Sequence, residues 1–207
     1  MPFFDGASGQ VHYRHWPCPD PVVGMVFLHG LGQHSGHYHR FARALGERRI
    51  EVWALDHVGH GLTEGDLGEY GPLVDLGENA LRLADIAAAD RPGLDLVVMG
   101  HSLGAAATVA ALTADPDRFV AAVLCGIPRQ TASDPAAVDE VRAPILVVHG
   151  VDDRRAAVDG AREFVDRVSG AQLREYPDAG HDLLHEPVQR TVIGDVAEFV
   201  VRTTVAG

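Results

Sequence analysis

The sequence alternates short, uninterrupted apolar runs with longer stretches in which apolar residues recur every three or four positions. Strands that are apolar on both faces are typical of a parallel sheet covered by helices on either side. The pattern therefore predicts an α/β fold with a mostly parallel central sheet. The predicted strands are 10–16, 22–29, 50–55, 94–99, 119–125, 145–149 and 172–176, and the predicted helices are 38–48, 74–89, 103–114, 156–168 and 188–203.

The segment 10–16 differs from the other predicted strands because its apolar and polar residues alternate. This favours an antiparallel strand at the edge of the sheet. Neither an internal repeat nor an interdomain linker is visible, so we expect a single domain over residues 1–207. Two long connections without a clear element, 56–72 and 126–142, follow predicted strands, which is where such folds place their functional sites.

The charge composition excludes several classes of function. The 17 basic residues are all arginines, against 29 acidic residues, for a net charge of −12. A chain without lysine cannot form a Schiff base with a substrate or with pyridoxal phosphate, and it lacks the lysine of a phosphate-binding loop. The negative charge also argues against nucleic acids and anionic membrane surfaces as partners. We expect a small, neutral molecule instead.

The cysteine content and the first residues indicate a cytoplasmic protein. Cys18 and Cys125 form no spaced motif, and two cysteines are too few for a disulfide framework. Residues 1–9 contain neither a basic region nor an apolar run, and no apolar stretch reaches the ~18 residues of a membrane span. We therefore expect no stable membrane association.

The sharpest local motif is Gly100-His101-Ser102-Leu103-Gly104, between a predicted strand and an Ala-rich predicted helix. A GxSxG sequence in this context is typical of a strained turn that exposes a nucleophilic serine, with Gly100 and Gly104 avoiding collisions. An ordinary glycine-rich turn without catalysis is the alternative. A serine nucleophile needs a base and an orienting acid. Candidates follow the later strands, at Asp152 and Asp153 and then at His181.

Five groups of residues together resemble the α/β-hydrolase superfamily, and within it the monoacylglycerol lipase and lysophospholipase group. They are 28–32 with 34–36 (LHGLG and HSG), 56–61 (DHVGHG), 100–104 (GHSLG), 150–154 (GVDDR) and 180–186 (GHDLLHE). The order serine, acid, histidine is that of α/β-hydrolases, whereas chymotrypsin-like and subtilisin-like enzymes use other orders. The resemblance implies an α/β-hydrolase fold and a serine carboxylic-ester hydrolase.

The resemblance also implies a role for each matched residue. Ser102 is the expected nucleophile, His181 the general base and then acid, and Asp153 the carboxylate that orients the imidazole. Asp153 is favoured over Asp152 because the family's acid directly precedes an arginine or a similar residue. Replacing each aspartate with asparagine would distinguish the two assignments.

Two backbone N–H groups are expected to stabilise the oxyanion. By the same resemblance they belong to Leu103, directly after the nucleophile, and to Leu31, in the loop after an earlier strand. The glycines on either side of Leu31, Gly30 and Gly32, let that loop approach the substrate. Taken alone, this segment could equally be an ordinary glycine turn.

Other histidines and a cysteine are candidates for supporting roles. His29, His101 and Cys125 are possible pocket residues, and His101 is expected to support the turn at Ser102. The remaining histidines do not have the spacing of metal ligands, so we expect no metal and no cofactor. The candidates among these histidines are His34, His37, His39, His57 and His60.

The chain departs from the family pattern at 126–142. Members of this group usually carry a helical cap there, whereas this connection has 17 residues including Pro128 and Pro135. A minimal or absent cap buries little acyl chain, so we expect small neutral esters, including short-chain monoacylglycerols, rather than long-chain glycerides. The sequence also allows a homodimer in which a second copy completes the site. Two alternative functions are a thioesterase, lactonase or perhydrolase that uses the same triad, and a non-catalytic ligand-binding protein of the same fold.

Overall fold

An eight-stranded sheet forms the centre of the molecule, in the order β1-β2-β4-β3-β5-β6-β7-β8. The computed structural model describes residues 2–66, 68–132 and 141–205. From β4 to β8 all neighbouring strands are parallel, whereas β1 and β2 are antiparallel to their neighbours. The strands are β1 (Phe3–Gly6), β2 (Gly9–Trp16), β3 (Val23–Leu28), β4 (Ile50–Leu55), β5 (Leu96–His101), β6 (Ala121–Cys125), β7 (Ile145–Gly150) and β8 (Ala171–Tyr176).

Helices cover both faces of the sheet, which confirms the predicted α/β class. Buried side chains of α2, α3 and α5 pack on one face, and those of α1 and α6 pack on the other. This arrangement explains why β3 to β7 are buried along their whole length. The helices are α1 (His39–Gly46), which follows a 3-10 turn at Ser35–Tyr38, then α2 (Leu73–Asp90), α3 (Leu103–Ala114), α4 (Arg129–Ala132), α5 (Val158–Arg167) and α6 (Gln189–Val205).

Each predicted strand and helix begins and ends within two residues of an observed one, but the prediction for the sheet edge was wrong. β2 is antiparallel, as expected, yet it is not the edge strand. The unpredicted β1 pairs with it from Phe3↔His12 to Gly6↔Gly9 and occupies the edge. Four residues are too few to show a strand periodicity, and only the pairing with β2 makes them a strand.

The parallel strands place their following loops at one edge of the sheet, as expected for a site in this class of fold. The loops after β3, β4, β5, β7 and β8 carry the five motifs identified above. Of the predicted cap region 126–142, residues 133–140 lie outside the described part of the chain. The described remainder contains α4, a helix of four residues. Across the described ranges, no helix has the length and apolar character needed to cross a bilayer.

Candidate active site

The turn between β5 and α3 holds Ser102 in a strained backbone conformation. Its φ of 53° and ψ of −112° lie outside the regions that L-residues ordinarily occupy. A Cβ atom on Gly100 would lie 2.0 Å from the carbonyl oxygen of Gly104, and one on Gly104 would lie 2.0 Å from the carbonyl oxygen of Leu28. Both positions therefore require glycine. This is the geometry by which a GxSxG turn presents a serine above the sheet.

Asp153 and His181 meet at this edge of the sheet. Nδ1 of His181 lies 2.6 Å from Oδ2 of Asp153. The other carboxylate oxygen accepts the backbone N–H groups of Arg155 (2.8 Å) and Ala156 (2.9 Å). Asp152, by contrast, is exposed, and its backbone N–H donates to the carbonyl of Ala179. The structure thus brings Asp153, rather than Asp152, to the imidazole.

The Asp153 carboxylate is strongly held in its ionised form. Burial raises the pKa of this group, since its residue is only 7% exposed. Interactions with the imidazoles of His149 and His181 and with the two backbone N–H groups outweigh burial, so the pKa falls well below its ordinary value. Asp153 is therefore a permanent acceptor for the Nδ1 proton of His181, which leaves Nε2 as the basic nitrogen.

Ser102 and His181 line one cavity of about 820 Å³. Among the described residues, no hydrogen bond joins the Ser102 hydroxyl to His181, and catalytic hydrogen bonds often form only when a substrate is bound. Most of the described residues that line it have polar side chains. The residues are Gly30, Leu31, Gln33, His101, Ser102, Pro128, Arg129, Gln130, Arg155, Ala156, His181, Asp182 and Glu186.

The loop after β3 leaves one backbone N–H available at the cavity. The N–H of Gly30 donates to Oε1 of Gln33 (3.1 Å), and that of Gly32 donates to Nε2 of His60 (3.0 Å). Between them, the N–H of Leu31 has no acceptor in the described ranges, and the same holds for the N–H of Leu103. These are the two groups predicted to hold an oxyanion.

His101 connects the turn at Ser102 to the loop that carries His181. Its Nε2 donates to the carbonyl of His181 (2.9 Å), and its Nδ1 lies 3.2 Å from the hydroxyl of Tyr38. Burial lowers the pKa of His101 to about 4, so the ring is neutral at pH 7. The Tyr38 hydroxyl itself donates to Oε1 of Gln33, which lies 3.0 Å from Nδ1 of His101.

Two of the predicted pocket residues do not line the cavity. His29 is fully buried, with Nδ1 donating to the carbonyl of Gly30 (2.8 Å) and Nε2 accepting the N–H of His57 (2.9 Å). Burial also lowers the pKa of His29 to about 3. Cys125 is fully buried as well, and burial raises the pKa of its thiol. Its contribution is its carbonyl, which accepts the N–H of Ser102 (2.9 Å). Both residues support loops behind the cavity.

Sequence reasoning missed two polar residues, Gln33 and His149. Gln33 lines the cavity, and besides accepting the Gly30 N–H it donates to Oδ1 of Asp182 (3.3 Å), directly after His181. His149 is fully buried beside Asp153. The signal for His149 was its place at the end of β7, four residues before the acid.

Most of the histidines that are not expected to bind a metal pack against other histidine rings. His57 and His60 pack against His29, with ring centroids 4.4 Å and 5.2 Å away, in the loop behind the site. The rings of His34 and His37 lie 3.9 Å apart. Within the residues that the structure describes, no three His, Cys, Asp or Glu side chains are grouped to hold a metal ion.

Comparison with known proteins places the chain in a family. The sequence model described as "Serine aminopeptidase, S33" matches residues 19–135 and 129–188, which together are most of the chain. The chain belongs to this family of α/β-hydrolases. Within the family it resembles monoacylglycerol lipases, as the motifs predicted.

The relatives are named as ester hydrolases. The monoacylglycerol lipase of Mycolicibacterium smegmatis is 29% identical over 267 aligned residues, covering 96% of this chain and 95% of that protein. The human monoglyceride lipase is 33% identical over 126 residues, covering 60% of this chain and 42% of that protein. These relatives support ester hydrolysis as the activity of this hydrolase. The 267 positions also exceed the 207 residues of this chain, so the mycobacterial protein carries residues that this chain lacks.

Solved structures share the fold. Est1E from Butyrivibrio proteoclasticus, determined with bound ferulic acid, superposes with a TM-score of 0.86 at 19% identity, covering all of both chains. The Paleococcus ferrophilus monoacylglycerol lipase superposes with a TM-score of 0.78 at 18% identity, covering 93% of this chain and 99% of that one. These similarities establish that the central sheet and its helices are those of an α/β-hydrolase.

Proposed function

We propose that this hydrolase cleaves carboxylic esters through an acyl-enzyme on Ser102, with His181 as general base and acid and Asp153 as the orienting carboxylate. The observation that carries the proposal is the 2.6 Å contact between Nδ1 of His181 and Asp153, at the cavity that Ser102 lines. Because Asp153 accepts the Nδ1 proton, the lone pair of Nε2 is available to the serine hydroxyl.

In the first half-reaction, the Ser102 hydroxyl oxygen attacks the ester carbonyl while its proton passes to Nε2 of His181. The resulting oxyanion accepts the N–H groups of Leu31 and Leu103, which lack acceptors in the described ranges. One such donor typically contributes ~3 kcal/mol to the transition state. His181 then returns the proton to the departing alcohol, and in the second half-reaction it activates water to release the acid.

The cavity supports short, water-soluble esters as substrates. Among the described lining residues, only Leu31, Pro128 and Ala156 have apolar side chains, so a long acyl chain would find few apolar side chains to pack against. Each methylene that stays in water forgoes ~0.8 kcal/mol of binding free energy. The short connection 126–142 is consistent with this, and we propose that the chain acts as a single domain with a reduced cap in that region. Short-chain monoacylglycerols belong to this class of esters and agree with the names of the relatives.

A covalent probe tests the proposal directly. A fluorophosphonate should label the wild-type chain, and Ser102→Ala should abolish the labelling together with hydrolysis of 4-nitrophenyl acetate. Ser35→Ala is a matched control, since Ser35 is buried away from the cavity lining. A panel of esters, thioesters and lactones then identifies the acyl donor. Absence of labelling in a folded wild-type chain would favour a ligand-binding protein of this fold.

A further inference from the structure

A second imidazole lies against the carboxylate of Asp153. Nε2 of His149 is 3.3 Å from Oδ2 of Asp153, the same oxygen that faces Nδ1 of His181 at 2.6 Å. Nε2 of His149 also lies 2.8 Å from the carbonyl oxygen of Ala156. Because both neighbours are oxygen acceptors, Nε2 of His149 must carry the proton.

These contacts form a closed arrangement around the acid. His149 donates to the carbonyl of Ala156, the N–H of Ala156 donates to Oδ1 of Asp153, and Oδ2 of Asp153 faces the N–H of His149. The loop 153–156 is thereby tied back to the end of β7. The carboxylate can then rotate only by breaking one of these contacts.

The other nitrogen of His149 shows that this arrangement carries a cost. His149 is fully buried, and its Nδ1 has no hydrogen-bond partner in the described part of the chain. A buried nitrogen without a partner is unfavourable, and an apolar side chain would fill the same space without that cost. The benefit of histidine at this position must therefore come from its Nε2–H group.

We propose that His149 is a positioning residue that holds Asp153 and moderates the negative charge that Asp153 presents to His181. The inference rests on the proposed function, in which His181 is the general base. The N–H of His149 stabilises charge on Oδ2, so less of that charge is available to stabilise a protonated His181. Removal of the His149 N–H group should favour the imidazolium form of His181, so that His181 loses its proton at a higher pH.

Other titratable groups surround this pair and stay in place in the test. His101 has its ring centroid 5.0 Å from that of His181. The other charged or titratable groups that act on the pair or lie beside it, among the described residues, include Cys125, Arg129, Arg155, Glu175, Asp182 and Glu186. None of them is altered by a substitution at His149.

A length-matched pair of substitutions isolates the N–H group. His149→Gln retains a donor of similar reach, whereas His149→Met has the same length and no donor. In His149→Met, we expect the acidic limb of the pH profile of kcat/KM for 4-nitrophenyl acetate to move to higher pH by about half a unit. This is the effect expected when a carboxylate loses one hydrogen bond. His149→Gln should retain the wild-type limb. His57→Leu, which removes another fully buried imidazole, is the control and should also retain it.

A second measurement does not depend on turnover. The Nδ1 proton of His181, in a 2.6 Å contact, should give a low-field proton NMR signal that disappears in His181→Gln. Its titration midpoint should rise in His149→Met and not in His149→Gln. An unchanged midpoint and limb in a folded His149→Met would overturn the proposal. A shifted midpoint in a chain that hydrolyses no ester would retain this inference and remove the proposed function.

Discussion

The carbonyl oxygen of His181 accepts a hydrogen bond from Nε2 of His101, 2.9 Å away. His101, which directly precedes Ser102, therefore holds the backbone of His181, the proposed general base. Because Asp153 holds Nδ1 of His181, both the side chain and the main chain of His181 are fixed. The position of the base depends on the turn that presents Ser102.

Removing this contact should lower activity more than stability. His101→Phe keeps an aromatic ring of similar size and removes the N–H, so the loop carrying His181 loses its link to the turn. We expect kcat/KM for 4-nitrophenyl acetate to fall about tenfold to a hundredfold, as for a small misplacement of a catalytic group. Steady-state kinetics with a thermal melt of the same preparation measure both effects. Unchanged kcat/KM in a folded variant would show that the link is dispensable.

Asp153 and Asp152 should differ sharply in their effect. Asp153→Asn removes the charge that holds the Nδ1 proton of His181, and kcat should fall by about 10⁴-fold, the loss seen when the orienting acid of a triad becomes an amide. Asp152 is exposed and makes no contact with the imidazole of His181 among the described residues, so kcat of Asp152→Asn should stay within about twofold of wild type. The reverse order of effects would assign the acid to Asp152.

Two glycine-to-alanine substitutions should change stability in opposite directions. The Cβ of Gly104→Ala would lie 2.0 Å from the carbonyl oxygen of Leu28, so the free energy of unfolding should fall by about 3 kcal/mol. Gly194 lies in α6 with open space at its Cβ position, so Gly194→Ala should raise it by about 0.5–1 kcal/mol. Urea unfolding followed by circular dichroism compares the two. Equal destabilisation by both would contradict the packing described at the turn.

The protein should lose stability on mild acidification. Burial lowers the pKa of His29 to about 3 and of His101 to about 4, whereas both titrate near 6.5 in the unfolded chain. Between these values the unfolded state binds more protons, so the free energy of unfolding falls as the pH falls below 6.5. At pH 5 each group should contribute a loss of about 2 kcal/mol.

Urea unfolding at pH 7.5 and at pH 5 measures this loss. A variant without one of the two imidazoles, His29→Asn, should show a smaller difference between the two pH values. The prediction fails if the wild-type chain is equally stable at both.

Acyl-chain length should separate this hydrolase from enzymes with a large lid. Because few of the described residues that line the cavity have apolar side chains, kcat/KM for 4-nitrophenyl esters should be highest for acetate and butyrate and should decline toward palmitate. Activity should also rise smoothly with substrate concentration, with no jump when micelles form. A steady increase of kcat/KM out to palmitate would contradict the proposed substrate class.

The sequence predicted the elements well because their signals are local, and the assignment of Ser102, Asp153 and His181 as a triad stays a prediction. Each strand from β3 to β7 is recognised by its own apolar run, and the turn at Ser102 is recognised by five consecutive residues. β1 was missed since it is a strand only through its pairing with β2. His29 and Cys125 were misplaced for a related reason: each stands next to a functional loop in sequence, while its side chain is buried behind that loop.

The amino-acid sequence by itself determined the α/β class, the order of the motifs and the need for glycine at Gly100, whose Cβ would collide with Gly104 in the same turn. These follow from periodicity and short-range sterics, which act between near neighbours in the chain. Only the tertiary structure brought Asp153 to His181, 28 positions later, and aimed the ring of His149 at the same carboxylate. Such pairings depend on which strands lie side by side and on how their loops pack, and no local pattern records that.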